Sequence, residues 1–295
     1  MSIILGVLEE GLIYAVMALG VYITYKILDF PDLSVDGTFP MGAAVTAALI
    51  LKGVHPAATL LLAFFTGALA GCVTGLIHVK LKVRDLLAGI IVMTGLYSIN
   101  LRIAGGKSNL PIFSRENIFE NAFLEQHVPE AWSPYTAVII LFAITAVCKI
   151  LLDLYLNTRS GYLLRATGDN DVLVTSLAKD KGMVRILGLA IANGFVALSG
   201  SIYCQHKGFF EISTGTGTMV MGLASVIIGT KLLKRFGAVK ATTAVILGTI
   251  VYKACVSLAI ALGMEASDLK LITSVLFLGI LVASGNKGRK VKAHA

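Results

Sequence analysis

The sequence predicts an all-α, polytopic transmembrane bundle of about nine spans, and three observations carry that prediction. Of its 295 residues, 56% are hydrophobic and only 14% charged, with a mean hydropathy of +0.84. A soluble domain carries roughly 25% charged residues, so this chain has too little polar surface to cover itself in water. Apolar runs close to the ~20 residues that cross a bilayer as a helix recur along its length. These runs are continuous and show no period-2 alternation, which fits helices that satisfy their own backbone and excludes a barrel.

Nine spans are read in order. The first, 3–25, has no basic start, carries Glu9 and Glu10 and is followed by no small-residue cleavage site, so it is a span and not a signal peptide. The second, 38–51, is short and follows the polar stretch FPDLSVDGTFPMG at 30–42. The third and fourth, 57–79 and 86–104, flank Lys80, Lys82 and Arg84. An acidic outer segment with Glu116, Glu120, Glu125 and Glu130 separates them from the fifth, 135–156. The alternation of acids and apolar residues across 107–132 suggests an amphipathic helix on the surface, anchored at the interface by Trp132 and Tyr135. The sixth span, 184–203, contains GFVALSG, which with Gly67-Ala68-Leu69-Ala70-Gly71 in the third reads as a small-residue packing face. The seventh, 218–230, is short again. The eighth, 238–260, holds Lys253, readable as a pathway charge or as a structurally paired one. The ninth is 269–284.

Lysine and arginine gather in alternate loops and the tail, which explains the net charge of +8 without nucleic acid. The positive-inside rule then places the N-terminus outside and the C-terminus in the cytoplasm. Cys72, Cys148, Cys204 and Cys255 lie scattered in apolar segments without metal or redox spacing, and the five histidines form no cluster.

The stretch FFEISTGTGTMVMG at 209–222 resembles that at 30–42, pairing Asp32 with Glu211, Ser34 with Ser213 and Thr38 with Thr218. The two lie on opposite sides of the predicted topology, so the chain is expected to be one permease domain, 1–295, with inverted halves at 1–106 and 184–286. Short or interrupted helices in matching positions point to a transport pathway, because freed backbone groups are tolerated only facing a polar cavity. The candidate pathway residues are Asp32, Ser34, Asp36, Thr38, Glu211, Ser213, Thr214, Thr216 and Thr218. The competing reading makes Asp32 and Asp36 hydrated loop acids and N-caps of the next helix.

The longest cytoplasmic loop, NTRSGYLLRATGDNDVLVTSLAKDKGMVR, places a bend at Gly161, a turn at Gly168-Asp169-Asn170 and a short helix over 171–179 that Gly182 ends. Such a helix suits docking in a partner's groove. The motif R-A-x-G-x-N, Arg165-Ala166-Thr167-Gly168-Asp169-Asn170, together with GLIYAVMALGVYITYKILDF, DLSVDGTFPMGAA and GLASVIIGTKLLK in order, resembles the permease subunits of ABC importers of the branched-chain amino-acid and ribose type. DLSVDGTFPMGAAV is most similar to a subgroup serving tryptophan- or tyrosine-type binding proteins. Residues 177–182 keep only the glycine of the family's A-x-x-x-G-I pattern.

The resemblance implies an importer in the bacterial inner membrane whose partners are a cytoplasmic ATP-binding subunit, an extracytoplasmic solute-binding protein and a second permease copy, most simply in a homodimer. Segment 157–183 becomes the coupling segment, with Arg165, Gly168, Asp169, Asn170, Val172, Leu173 and Leu177 facing the ATPase. No cofactor is expected on this chain, which has no G-x-x-x-x-G-K-[ST] loop and is not expected to be an enzyme. The solute is expected to be a small molecule, an aromatic amino acid first. An ion-coupled secondary transporter using Asp32, Glu211 or Lys253 is the alternative, distinguished by its having no need of a docking segment.

Overall fold

In the computed structural model, residues 2–113, 115–121, 124, 126, 129, 132–169, 180–232, 240–263 and 268–285 are described. The helices are α1 (Ser2–Val21), α2 (Val35–Leu51), α3 (Pro56–Lys80), α4 (Asp85–Ile103), α5 (Ser133–Leu156), α6 (Arg159–Asp169), α7 (Lys181–Lys207), α8 (Thr218–Leu232), α9 (Ala241–Ala261) and α10 (Leu269–Gly285). A π-helical stretch, Tyr22–Ile27, extends α1, and a 3-10 turn, Ile212–Gly215, precedes α8. Among the described residues seven helical segments are long and apolar enough to span a membrane, and Val35–Leu51 is a shorter apolar helix. With the apolar 17-residue α10, each of the nine expected spans corresponds to a helix.

Helix α7 runs antiparallel to α1 and α3, and α9 antiparallel to α5, as the contacts at their ends show. At one end, Arg185 of α7 meets His78 of α3 at 3.3 Å, and Asp153 of α5 accepts a hydrogen bond from Thr242 of α9 at 2.7 Å. At the other, Lys207 of α7 pairs with Glu10 of α1 at 2.9 Å, and Gln205 donates to the carbonyl of Pro56.

Helix α7 is the axis of the bundle: 78% of its most apolar window is buried, against 22% for α5. Its ends are set by local chemistry. Asp180 accepts from the backbone of Gly182 and Met183, and Gly208, at φ +78°, closes the helix by donating to the Cys204 carbonyl. Gly182 therefore lies in the first turn of α7, and the helix expected over 171–179 falls outside the described residues. Close approach to α7 depends on missing side chains. A Cβ on Gly67, Gly71 or Gly75 of α3 would run into the backbone or side chains of Asn193, Leu189 and Ile186, and one on Gly42 of α2 into the carbonyl of Ala197. The opposite face of α3 presents Leu61, Phe65 and Leu69, all more than 60% exposed. One helix face is cut for backbone packing and the other for lipid.

The first part of the outer segment differs from its expected form, whereas most of 122–131 lies outside the described residues. Asn109–Pro111 is a strand, β1, antiparallel to β2 (Phe209–Glu211), with Leu110 opposite Phe210. Beyond it Asn117 Oδ1 accepts from the backbone N–H groups of Phe119 and Glu120, an Asx turn that competes with helix. Pro111 lacks an N–H to continue a helix. The two compared stretches also differ locally: 209–211 is strand, whereas Phe30 follows the π-helical stretch through Phe30 N–H to the Thr24 carbonyl.

Candidate functional site: two helix starts and a polar cleft

The chain between α1 and α2 stays inside the bundle. Asp29 takes a left-handed conformation, φ 51°, which a short polar side chain tolerates. Asp32, Ser34 and Asn193 of α7 are all fully buried. Asp32 Oδ1 accepts from Ser34 N at 2.9 Å and Oδ2 from Asn193 Nδ2 at 2.8 Å, while Ser34 Oγ donates to Asn193 Oδ1 at 3.2 Å. Burial pushes the Asp32 carboxyl above its ordinary range, and the hydrogen bonds from Ser34 and Asn193 pull against that rise. Each member of the ring has a partner, as a buried polar group must. Thr38 is buried beside them and donates to the Ser34 carbonyl at 2.9 Å.

Asp36 joins two helices. It lies in the first turn of α2, yet it caps α8: Gly217 N donates to Oδ2 at 3.0 Å, and Met219 N and Thr218 Oγ1 donate to Oδ1 at 2.8 and 2.9 Å. Pro40 has no N–H to offer the Asp36 carbonyl four residues back, and Gly215 packs against that carbonyl and the Pro40 ring where a Cβ would collide. Gly217, at φ +87°, turns the chain into α8. Helices α2 and α8 diverge from this point. Ile50 of α2 clusters with Ala104 and Cys204, whereas Gly229 of α8 packs on Ala244.

Beside the junction is a cleft of about 450 Å³ between α2, α4 and the 3-10 turn. Asp36, Ser213 and Thr216 line it from the candidate set, joined by Thr94, Tyr97 and Asn100 of α4. Glu211 and Thr214 lie alongside, Thr214 Oγ1 donating to the Glu211 carbonyl and Ser213 Oγ to Glu211 Oε1. Thr218 is buried at the cap. Sequence reasoning missed Asn193 and Asn100. The one signal for each is an asparagine in an otherwise apolar helix.

Lys253 is 9% exposed; its Nζ lies 3.1 Å from Glu10 Oε2 and 4.0 Å from the Tyr14 ring centroid. Glu10 also pairs with Lys207, and His206 with Glu9 at 3.4 Å. The eighth-span lysine is thus bound to acidic and aromatic groups of α1.

At the opposite end, helix α6 continues through Asp169 in place of the turn expected at Gly168-Asp169-Asn170. Gly161 is within α6, where a Cβ would strike Leu156, and Gly168 rests against the carbonyl of Ile27, the last residue of the π-helical stretch. Leu164 is fully buried. Arg165 lines a polar cleft of about 210 Å³ with Tyr22, Asp153 and Lys240. Asn170, Val172, Leu173 and Leu177 fall outside the described residues.

A bundle of apolar helices, two of them starting inside it at a shared carboxylate beside a cleft of hydroxyl and apolar side chains, is the architecture of a multi-pass membrane permease. Residues 3–284 match the family described as the branched-chain amino acid transport system permease component, and the chain belongs to it. It is 46% identical over 292 residues to the tyrosine transport system permease protein of Clostridioides difficile strain R20291, covering 99% of this chain and 94% of that one. An uncharacterized protein of Rickettsia prowazekii is 32% identical over 95% of this chain and 97% of its own. The autoinducer 2 import system permease protein LsrC of Salmonella typhimurium is 26% identical over 86% of this chain and 70% of its own length. No solved structure matches the chain.

Proposed function

We propose that the chain is the membrane subunit of an ATP-driven importer that carries a small solute, an aromatic amino acid foremost, into the cytoplasm. The observation that carries this reading is the Asp36 junction beside the cleft: two short helices start there and diverge, the arrangement by which inverted halves build a pathway at mid-depth. Those halves are 1–106 and 184–286. Similarity to a tyrosine transport permease supports the choice of solute.

ATP hydrolysis belongs to a separate subunit docked at the end of the bundle where α6 lies, with segment 157–183 as the coupling element. A push there reaches the interior through Gly168 and the end of α1, because close-packed contacts transmit displacement. An extracytoplasmic binding protein delivers the solute. A second copy faces the cleft across a water-filled passage, since Thr94, Tyr97, Ser213 and Thr216 are exposed beside it and polar groups are not left facing hydrocarbon. The chain needs no cofactor of its own for this role.

The test is uptake of labelled L-tyrosine into proteoliposomes holding the permease, its ATPase and its binding protein. ATP-dependent uptake that is absent with an ion gradient alone supports the reading. Uptake driven by the gradient without ATPase replaces it with the ion-coupled carrier.

A further inference from the structure

We propose that Asn100 and the cleft at its side form a solute-contact site for a net-neutral amino acid, with Asn100 Oδ1 taking a hydrogen bond from the solute. The inference rests on the permease reading and adds to it the residue that recognises the cargo and the charge class of that cargo.

Asn100 is fully buried near the end of α4. Its Nδ2 donates to the Gly37 carbonyl at 3.0 Å, and its Oδ1 has no partner among the described residues. The amide cannot simply be turned over, because that would set Oδ1 against the Gly37 oxygen, acceptor against acceptor. A buried acceptor without a donor costs free energy that an arriving donor recovers. Gly37 has no side chain to stand between α2 and α4: a Cβ there would meet Met93 and Leu96 at 3.0 Å.

The cleft beside this orphan acceptor fits an amino acid. At about 450 Å³ it lies within the ~300–1,000 Å³ of small-molecule sites. Tyr97, Met93, Pro40 and Ile212 offer apolar surface for a ring or an aliphatic side chain, and Thr94, Ser213 and Thr216 offer hydroxyls.

Charge narrows the class. Among the described residues Asp36 is the one charged residue lining the cleft, and its oxygens are occupied by the backbone and hydroxyl donors at the start of α8. It also lies in the first turn of α2. Each helix start carries roughly +0.5 of an elementary charge, so two of them offset one carboxylate. The cleft lining therefore presents little net charge, the Glu211 carboxylate behind Ser213 adds negative potential, and the site favours a zwitterion or a neutral molecule over an anion. A solute held by one unshared acceptor and apolar walls is bound weakly enough to leave again, as a transport path requires.

Labelling tests the site without relying on transport. Thr94→Cys, at an exposed position on the cleft wall, is introduced into a chain lacking Cys72 and Cys255 and reacted with a small methanethiosulfonate reagent. L-tyrosine, L-tryptophan, L-leucine and L-glutamate are added in turn. The inference expects the net-neutral amino acids to slow labelling, L-glutamate to leave it unchanged, and Asn100→Leu to raise the protecting concentration roughly tenfold or more. Should Asn100→Leu fail to fold, Tyr97→Ala, which removes a half-exposed wall residue, is expected to weaken protection in the same direction. No protection by any amino acid, or equal protection in both variants, overturns it. ATP hydrolysis stimulated by the loaded binding protein is measured on the same preparation. Stimulation without protection sinks the Asn100 site and leaves the importer standing. Protection without stimulation keeps the site and removes the importer.

Discussion

Asp36 and Asp32 lie four residues apart, and their surroundings assign them different work. Asp36 holds the first turn of α8 through three donors. Asp36→Ala is expected to destabilise the protein by about 1–2 kcal/mol, the usual value of an N-cap, and Asp36→Asn by less. Thermal unfolding in detergent checks the order wild type, Asn, Ala; equal stability of all three contradicts the cap. Asp32 is sealed against Asn193. Asn193→Leu leaves a buried carboxylate short of a donor, a loss of about 1–3 kcal/mol. Adding Asp32→Asn to that variant removes the charge and is expected to restore part of the stability; no recovery would show that the loss comes from packing. Both acids were visible in the sequence as polar residues between apolar runs. Their partners were not, because Gly217 and Asn193 are more than 150 positions away and nothing local links them.

At the scale of elements, the glycine stripe of α3 sets how closely it approaches α7. Gly71→Leu places a side chain against the Leu189 carbonyl and Ala190 Cα, and overpacking of this kind costs about 1–3 kcal/mol. Gly95→Ala on α4, where a Cβ meets nothing within 4 Å, is the control and is expected to leave stability unchanged or slightly higher. A similar loss in both would show that close approach to α7 is not the cause. Helix α6 gives the functional counterpart. Arg165→Glu reverses an exposed charge, and Gly168→Val drives a side chain into the Ile27 carbonyl. Both are expected to lower stimulated ATP hydrolysis in the assembled complex, Arg165→Glu without loss of thermal stability. Wild-type stimulation in both would remove α6 from the coupling path. The helical segments were legible because length and apolar continuity are local properties. The start of the outer segment misled for a related reason: its alternation suited a helix, but Asn109–Pro111 takes its order from pairing with β2, about a hundred residues away.

For the whole molecule, the antiparallel packing of α7 on α1 and α3 follows from the contacts at their ends, whereas orientation in the bilayer rests on the distribution of lysine and arginine. The positive-inside rule places the Lys80–Asp85 turn in the cytoplasm and Gly105-Gly106 outside. Cysteines introduced at Lys82 and Gly106 are expected to react with an impermeant maleimide from the cytoplasmic and outer faces respectively. The reverse pattern turns the molecule over and moves α6 away from any cytoplasmic ATPase.

Composition and apolar run length were enough to determine a membrane protein of about nine helices, since the cost of exposing apolar side chains to water and peptide groups to lipid is paid residue by residue. The ordered motifs pointed to the permease family in the same way. Only the folded chain decided that Asp36 caps a helix 180 residues later, that Asp32 is closed off by Asn193, and that Asn100 keeps an unmatched oxygen beside a cleft. Those facts depend on which helices touch, and such contacts are set by three-dimensional packing of small residues, for which no single stretch of sequence carries the address.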